Sequence, residues 1–244
     1  DLAFQFKPNI RVNAIAIGYD DEVPLLAYAS NAEVAKALIE AGANLQWNGN
    51  YEGGVLGNYL MHNESEALPS VVKVFIDAGA DVNENVEAHY GGTPLSWACF
   101  CGNTEIVKML LDAGAIKSIN IQDENSDGET PLMMAADYGS IEIMKLLIEN
   151  GAELNVQDAE GRTALMRAAV RCSYEGCKVL FDAGADIDIK DNYGNTPLEF
   201  VSGKLDEAVS DAKYKSSTAQ KSMYRDCIER SKILTLFLEA KAND

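Results

Sequence analysis

The segment Asp123-Glu-Asn125-Ser-Asp127-Gly128 carries the first half of a calcium-loop pattern: oxygen ligands at alternate positions, then a glycine for the sharp turn. The rest of that loop needs a bidentate glutamate at its twelfth position, and Met134 stands there instead. No metal site is assigned. Catalytic groups are equally sparse. The two histidines, His62 and His89, are far apart in sequence, and no nucleophile elbow, phosphate loop, H-E-x-x-H or C-x-x-C is present. Carboxylates abound, but they recur at regular turn positions where acids are ordinary solvated residues. Cys99, Cys101, Cys172, Cys177 and Cys227 match neither a zinc spacing nor a disulfide framework. Cys99 reads as small core filling, whereas Cys172 and Cys177 flank a bend where an oxidising compartment would let them pair. Asn63-Glu64-Ser65 is a sequon, a short pattern that arises easily by chance. These residues point away from an enzyme and call for no catalytic residues, metal or cofactor.

The elements that carry these residues follow two interlocked beats. Five apolar runs end in Gly-Ala, with glycines at 42, 79, 114, 151 and 184, so the steps are 37, 35, 37 and 33 residues. Between them fall Thr93-Pro94-Leu95, Thr130-Pro131-Leu132, Thr163-Ala164-Leu165 and Thr196-Pro197-Leu198. A period near 33 residues belongs to a stacked repeat array rather than to one compact core. Each unit reads as two helices. Thr130 is placed to cap the first, and Pro131 suits its first position, where no backbone donor is lost. Ala135 and Ala136 keep that helix thin, and Gly139 suits the bend. Ile143, Met144, Leu147 and Ile148 form one apolar face on the second helix, which Gly151 ends as a left-handed cap.

This pattern resembles the ankyrin repeat: the T-P-L segment, paired small residues, an I-V-x-x-L-L helix, then G-A-D-V-N. It runs from about Val23 to Leu198 and is clearest from Gly91, where Gly91-Gly-Thr-Pro-Leu-Ser-Trp-Ala and Glu105-Ile-Val-Lys-Met-Leu-Leu-Asp-Ala-Gly-Ala stand. The expected fold is all-α, a solenoid of helix-turn-helix units joined by short turns and hairpins. Residues 1–20 are expected to form an N-terminal cap, 21–202 about six repeats, and 203–244 an elongated C-terminal helical hairpin or cap. The second repeat is degenerate: Asn58-Tyr-Leu-Met stands in for the T-P-L segment, so 58–69 is expected to pack poorly. The last helix is expected to start near Ser217 or Thr218.

Composition narrows the partners. With 38 acidic and 20 basic residues, the net charge is −18, which disfavours nucleic acid because a DNA binder needs a cationic footprint. No run is apolar enough over enough residues to span a bilayer. Asp1 stands where a nascent chain has Met, which leaves open a removed leader, a removed anchor or a trimmed chain. The expected location is the bacterial periplasm or cell envelope if a leader was removed and the cytoplasm otherwise.

The resemblance implies a binding protein that holds one protein partner on its concave side and is monomeric when free. The turn tips facing that side are His89, Tyr90, Asp127, Glu129, Glu160, Arg162, Tyr193 and Asn195. The exposed helix positions are Phe100, Asp137, Tyr138 and Arg171. Exposed aromatics among charges are what interface anchors look like. The irregular repeats and shortened first unit have a bacterial flavour, so the role expected first is an inhibitor or immunity protein that occludes a toxin or enzyme. The other is a cytosolic scaffold that joins two proteins.

Overall fold

A computed structural model describes residues 15–18, 21–48, 52–85, 92–122, 127–202 and 217–243 of the chain. The chain divides into two compact units, Asp1–Ser118 and Ile119–Asp244.

The first unit opens with an antiparallel hairpin, β1 (Ile15–Gly18) and β2 (Asp21–Pro24), in which Ile15 pairs with Pro24 and Gly18 with Asp21. A short 3-10 turn, Leu25–Tyr28, takes the place of a full first helix, and α1 (Ala32–Glu40) follows. A second hairpin, β3 (Gln46–Asn48) and β4 (Glu52–Gly54), leads into α2 (Val55–Asn63) and α3 (Pro69–Asp77). Helices α4 (Pro94–Phe100) and α5 (Thr104–Asp112) follow, and a 3-10 turn, Ala115–Ser118, ends the unit. The Leu25–Tyr28 turn, α2 and α4 stack in one row, and α1, α3 and α5 in another. Both rows supply the core: Leu26, Leu56, Leu60, Leu95 and Cys99 from the first and Leu38, Val72, Phe75, Ile106 and Leu110 from the second are all buried.

The degenerate repeat corrects the expectation in two respects. Helix α2 begins at Val55, not Asn58, so Gly54-Val55-Leu56 aligns with Thr93-Pro94-Leu95. Its start is not poorly packed either, because Val55 through Leu60 are all buried, whereas 61–63 are only partly so. Tyr59 and Leu60 replace the small pair. Room for the Tyr59 ring comes from an edge-on contact with Phe75 at 5.4 Å, and its hydroxyl accepts from the Leu68 N–H at 3.0 Å. Only the cap is weaker, since Gly54 supplies no side-chain acceptor.

The second unit holds α6 (Pro131–Asp137), α7 (Ile141–Glu149), α8 (Ala164–Val170), α9 (Tyr174–Asp182), a helical stretch at 197–202, and α10 (Ser217–Asn243). Here α6 packs on α8 and α7 on α9, while α10 lies against α9 and buries Ile233 and Phe237. The caps are those the spacing predicts. The hydroxyls of Thr130 and Thr163 accept from Met133 N and Met166 N at 3.3 and 3.4 Å. Gly151 sits at φ +89°, and Ala152 N returns to Leu147 O at 2.9 Å, closing α7. Ile143, Met144 and Leu147 are buried, whereas Ile148 is only partly so.

One bend departs from the pattern. Gly102 and Gly139 occupy the left-handed position between paired helices at φ +69° and +71°, and Cys172 holds the same place at φ +58°. An L-residue there is strained by roughly 1–2 kcal/mol, part of which glycine gives back in unfolded-state entropy. Cys172→Gly should therefore stabilise the protein by roughly 0.5–1 kcal/mol. Urea denaturation tests this, and an unchanged or lower midpoint would count against the strain. Cys172 and Cys177 are not bonded to each other in the structure, and Cys177 lies inside α9, where burial first and the neighbouring Cys172 second push its pKa up to about 12.

Candidate functional site

The turns before α8 and before the helical stretch at 197–202 are built on aspartates that the sequence reading passed over. Asp158 Oδ1 accepts from Glu160 N and Arg162 N at 2.9 and 2.8 Å. In the next turn Asp191 Oδ1 accepts from Tyr193 N and Asn195 N at 2.9 and 2.7 Å. Successive turns are then tied together. Gln122 Nε2 donates to Gly128 O in its own turn and to Gln157 O in the next, both at 2.9 Å. Gln157 repeats the arrangement with Gly161 O and Lys190 O, at 2.6 and 3.0 Å. A row of turns bonded in this way holds its tips in fixed register.

At the centre lies Arg167, in the middle of α8 and only 8 % exposed. One of its terminal nitrogens, Nη2, reaches Asp158 Oδ2 at 2.6 Å and Glu129 Oε1 at 2.5 Å; Nη1 reaches Asp137 Oδ2 at 3.3 Å. Asp137 uses its other oxygen for Arg171 Nε at 2.8 Å, and the Arg171 guanidinium lies 5.8 Å from the centre of the Tyr138 ring. At the opposite end Arg162 bridges Asp158 and Glu160, at 3.4 and 2.6 Å. Three arginines and four carboxylates thus run from the turn tip to the end of α6.

Burial sets the electrostatics. It pulls the Arg167 pKa down, but Asp158 foremost, then Glu129 and Asp137, hold it above the ordinary value. Burial raises the Glu129 carboxyl, which the Arg167 charge only partly offsets while Asp137 and Asp158 add to the rise. Arg171 is raised chiefly by its hydrogen bond to Asp137. Asp191 goes the other way: burial alone would raise it, yet the Asn195 and Tyr193 donors bring it below the ordinary 3.8. A carboxyl lowered by folding contributes stability in full above its unfolded value and loses it as pH falls through the folded one. Asp191→Asn should therefore be less stable than the parent at neutral pH, yet lose less between about pH 5 and about pH 3. Parallel denaturation series would show this; equal losses would mean that Asp191 is not held by its turn.

The structure distributes the sequence-predicted residues unevenly. Glu129, Asp137, Glu160, Arg162 and Arg171 converge in the network, with Tyr138 beside it, half exposed. Tyr193 is 78 % exposed at its turn tip. Asp127 is exposed at φ +55°, and its carbonyl accepts from Ala159 N at 2.7 Å. Two expectations of exposure need correction. The Asn195 side chain turns back onto Asp191 Oδ2 at 3.1 Å, so it shapes the turn rather than presenting itself. Phe100, in the first unit, is half buried, edge-on to Trp97 at 5.5 Å. His89 and Tyr90 lie outside the described residues, as do Asp123 and Asn125. Among the described residues no group of three His, Cys, Asp or Glu side chains is placed to hold a metal ion, and no helix is long and apolar enough to cross a membrane.

Arg167, Asp158 and Asp191 are the residues sequence reasoning missed. The aspartates had a signal, because Asp158-x-x-Gly161-x-Thr163 recurs as Asp191-x-x-Gly194-x-Thr196. Arg167 had one too: it is the one charged residue in an otherwise apolar helix, Ala-Leu-Met-Arg-Ala-Ala-Val.

Capped helix pairs joined by hydrogen-bonded turns, with charged and aromatic side chains at the tips, define a helical-repeat binding module. The family model for ankyrin repeats (3 copies) matches residues 25–123, 63–158 and 115–191, and the chain belongs to the ankyrin-repeat family. Ankyrin repeats are generally protein–protein interaction modules, and the family is typically non-catalytic. No curated protein matches the chain in sequence.

Proposed function

We propose that the protein is a non-catalytic inhibitor or immunity protein that holds one protein partner, with the turn tips and helix ends of the second unit as its docking face. The observation that carries this reading is the Arg167 network, which fixes exposed side chains before any partner arrives. Tyr138 at 50 % and Arg171 at 52 % exposure stand at its outer end, with Tyr193 on a neighbouring turn. Preorganised anchors spare the cost of ordering side chains on binding, and aromatic and arginine anchors dominate interface energies. The concave side of the array is the expected location of this face, and a monomer the expected state before the partner binds.

The test is co-purification of the intact chain from its native source with identification by mass spectrometry, repeated with Tyr138→Ala/Tyr193→Ala. The double variant should keep its circular dichroism and weaken the complex by about 2 kcal/mol or more. A partner enzyme silenced by the parent and released from inhibition by the variant supports occlusion. Two partners bound at once would favour a scaffold, and full affinity in the variant would move the site elsewhere.

A further inference from the structure

The geometry points to Arg171 as the receptor for a carboxylate side chain of the protein partner, an inference that rests on the docking face proposed above. A guanidinium offers five N–H donors in a rigid fork. Arg171 spends its Nε on Asp137 Oδ1 at 2.8 Å; Nη1 and Nη2 have no hydrogen bond or ion pair among the described residues. That edge belongs to a side chain 52 % exposed, so it is open to approach.

Exposure alone would leave the arginine mobile. Here it is oriented twice, by Asp137 at one edge and by the Tyr138 ring 5.8 Å from its carbon. Asp137 is itself anchored, since its second oxygen receives Arg167 Nη1 at 3.3 Å, and Arg167 is gripped by Asp158 inside the turn. The chain of contacts thus runs from a fully buried carboxylate out to an oriented fork, so most of the ordering is complete before binding. An arginine fork with a free edge matches a carboxylate through two parallel hydrogen bonds, which an ammonium does not reproduce.

The net charge of −18 opposes this occupant at long range and would by itself select basic partners. Salt screens that field beyond about 8 Å at physiological ionic strength, while direct bonds to the fork act at contact. Global charge and local geometry therefore predict opposite partner chemistries, which makes the inference testable without knowing the partner.

Random peptides displayed on phage would be selected on the intact protein. A selected peptide and its Glu→Gln or Asp→Asn counterpart would then be titrated calorimetrically against the parent, Arg171→Gln, Arg171→Lys, Tyr138→Ala and Tyr193→Ala, each checked for folding by circular dichroism. The expected result is enrichment of an acidic residue whose amide replacement weakens binding about tenfold or more to the parent but little to Arg171→Gln, with Arg171→Lys in between. Basic or neutral peptides that bind Arg171→Gln within about twofold of the parent would overturn the inference. If those peptides still lose affinity in Tyr138→Ala or Tyr193→Ala, the face stands and only the carboxylate fails. If no variant changes binding, the face falls as well.

Discussion

Replacing Arg167 with methionine should destabilise the protein by about 3 kcal/mol or more, the cost of stripping the cation from a buried ion cluster. Methionine is the fitting replacement because Met134 holds the same place in the preceding repeat, so volume and helix propensity change little. What changes is charge. Asp158 keeps Arg162 at 3.4 Å and Asp137 keeps Arg171 at 2.8 Å, but Glu129 loses the only cation in its ion pairs among the described residues. Its carboxyl, already raised by burial, would take up a proton at still higher pH. Two outcomes follow for urea denaturation. Adding Glu129→Gln to Arg167→Met should recover about 1 kcal/mol or more, because no buried charge is then left alone. The deficit of the single variant should also shrink as pH falls and Glu129 protonates. A single variant within about 1 kcal/mol of the parent would show instead that water solvates the cluster and that it anchors nothing.

What the sequence made legible was everything set by local chemistry. Thr130 and Thr163 cap, Gly139 and Gly151 take positive φ, and Leu147 is buried, because each depends on residues within one turn or one helix. The register of α2 was hidden because Gly54-Val55-Leu56 has neither the threonine nor the proline that announces a helix start. The network was hidden for another reason. Asp137 meets Arg167 and Arg171 across 30 and 34 residues, and helical periodicity within one repeat does not report contacts between repeats. Complementary charges spaced by about one repeat length were the signal. The position of Arg167 is occupied by Asn58, Trp97, Met134 and Phe200 in four other repeats, so the repeat pattern itself leaves its chemistry open. Phe100 misled in the same way, since its exposure depends on whether the residue one turn earlier is as large as Trp97.

Gly161→Val should cost more than Gly151→Val, by about 1–3 kcal/mol, although both glycines have positive φ and both substitutions introduce the same side chain. At Gly151, φ is +89° and nothing lies within 4 Å of the added Cβ, so only the backbone strain of roughly 1–2 kcal/mol applies. At Gly161 the strain is of the same kind, at φ +77°, but the Cβ would sit 2.8 Å from Asn192 N and 3.1 Å from the Asp191 carbonyl carbon. Those atoms are backbone and cannot swing aside. They also belong to the contact that joins the turns, in which Asn192 N donates to Glu160 O at 2.9 Å and Asn192 Nδ2 to Ala159 O at 2.8 Å. The valine must push the Asp191 turn away, and Tyr193 rides on that turn. Denaturation of the two variants side by side separates strain from collision; equal costs would mean that the turns yield easily. Binding adds a second readout. At temperatures where both variants remain folded, Gly161→Val should weaken a ligand of the second-unit face by about tenfold, because the register of its tips has moved, while Gly151→Val should leave affinity nearly unchanged. Undiminished affinity in Gly161→Val would show that the tips bind independently of their register.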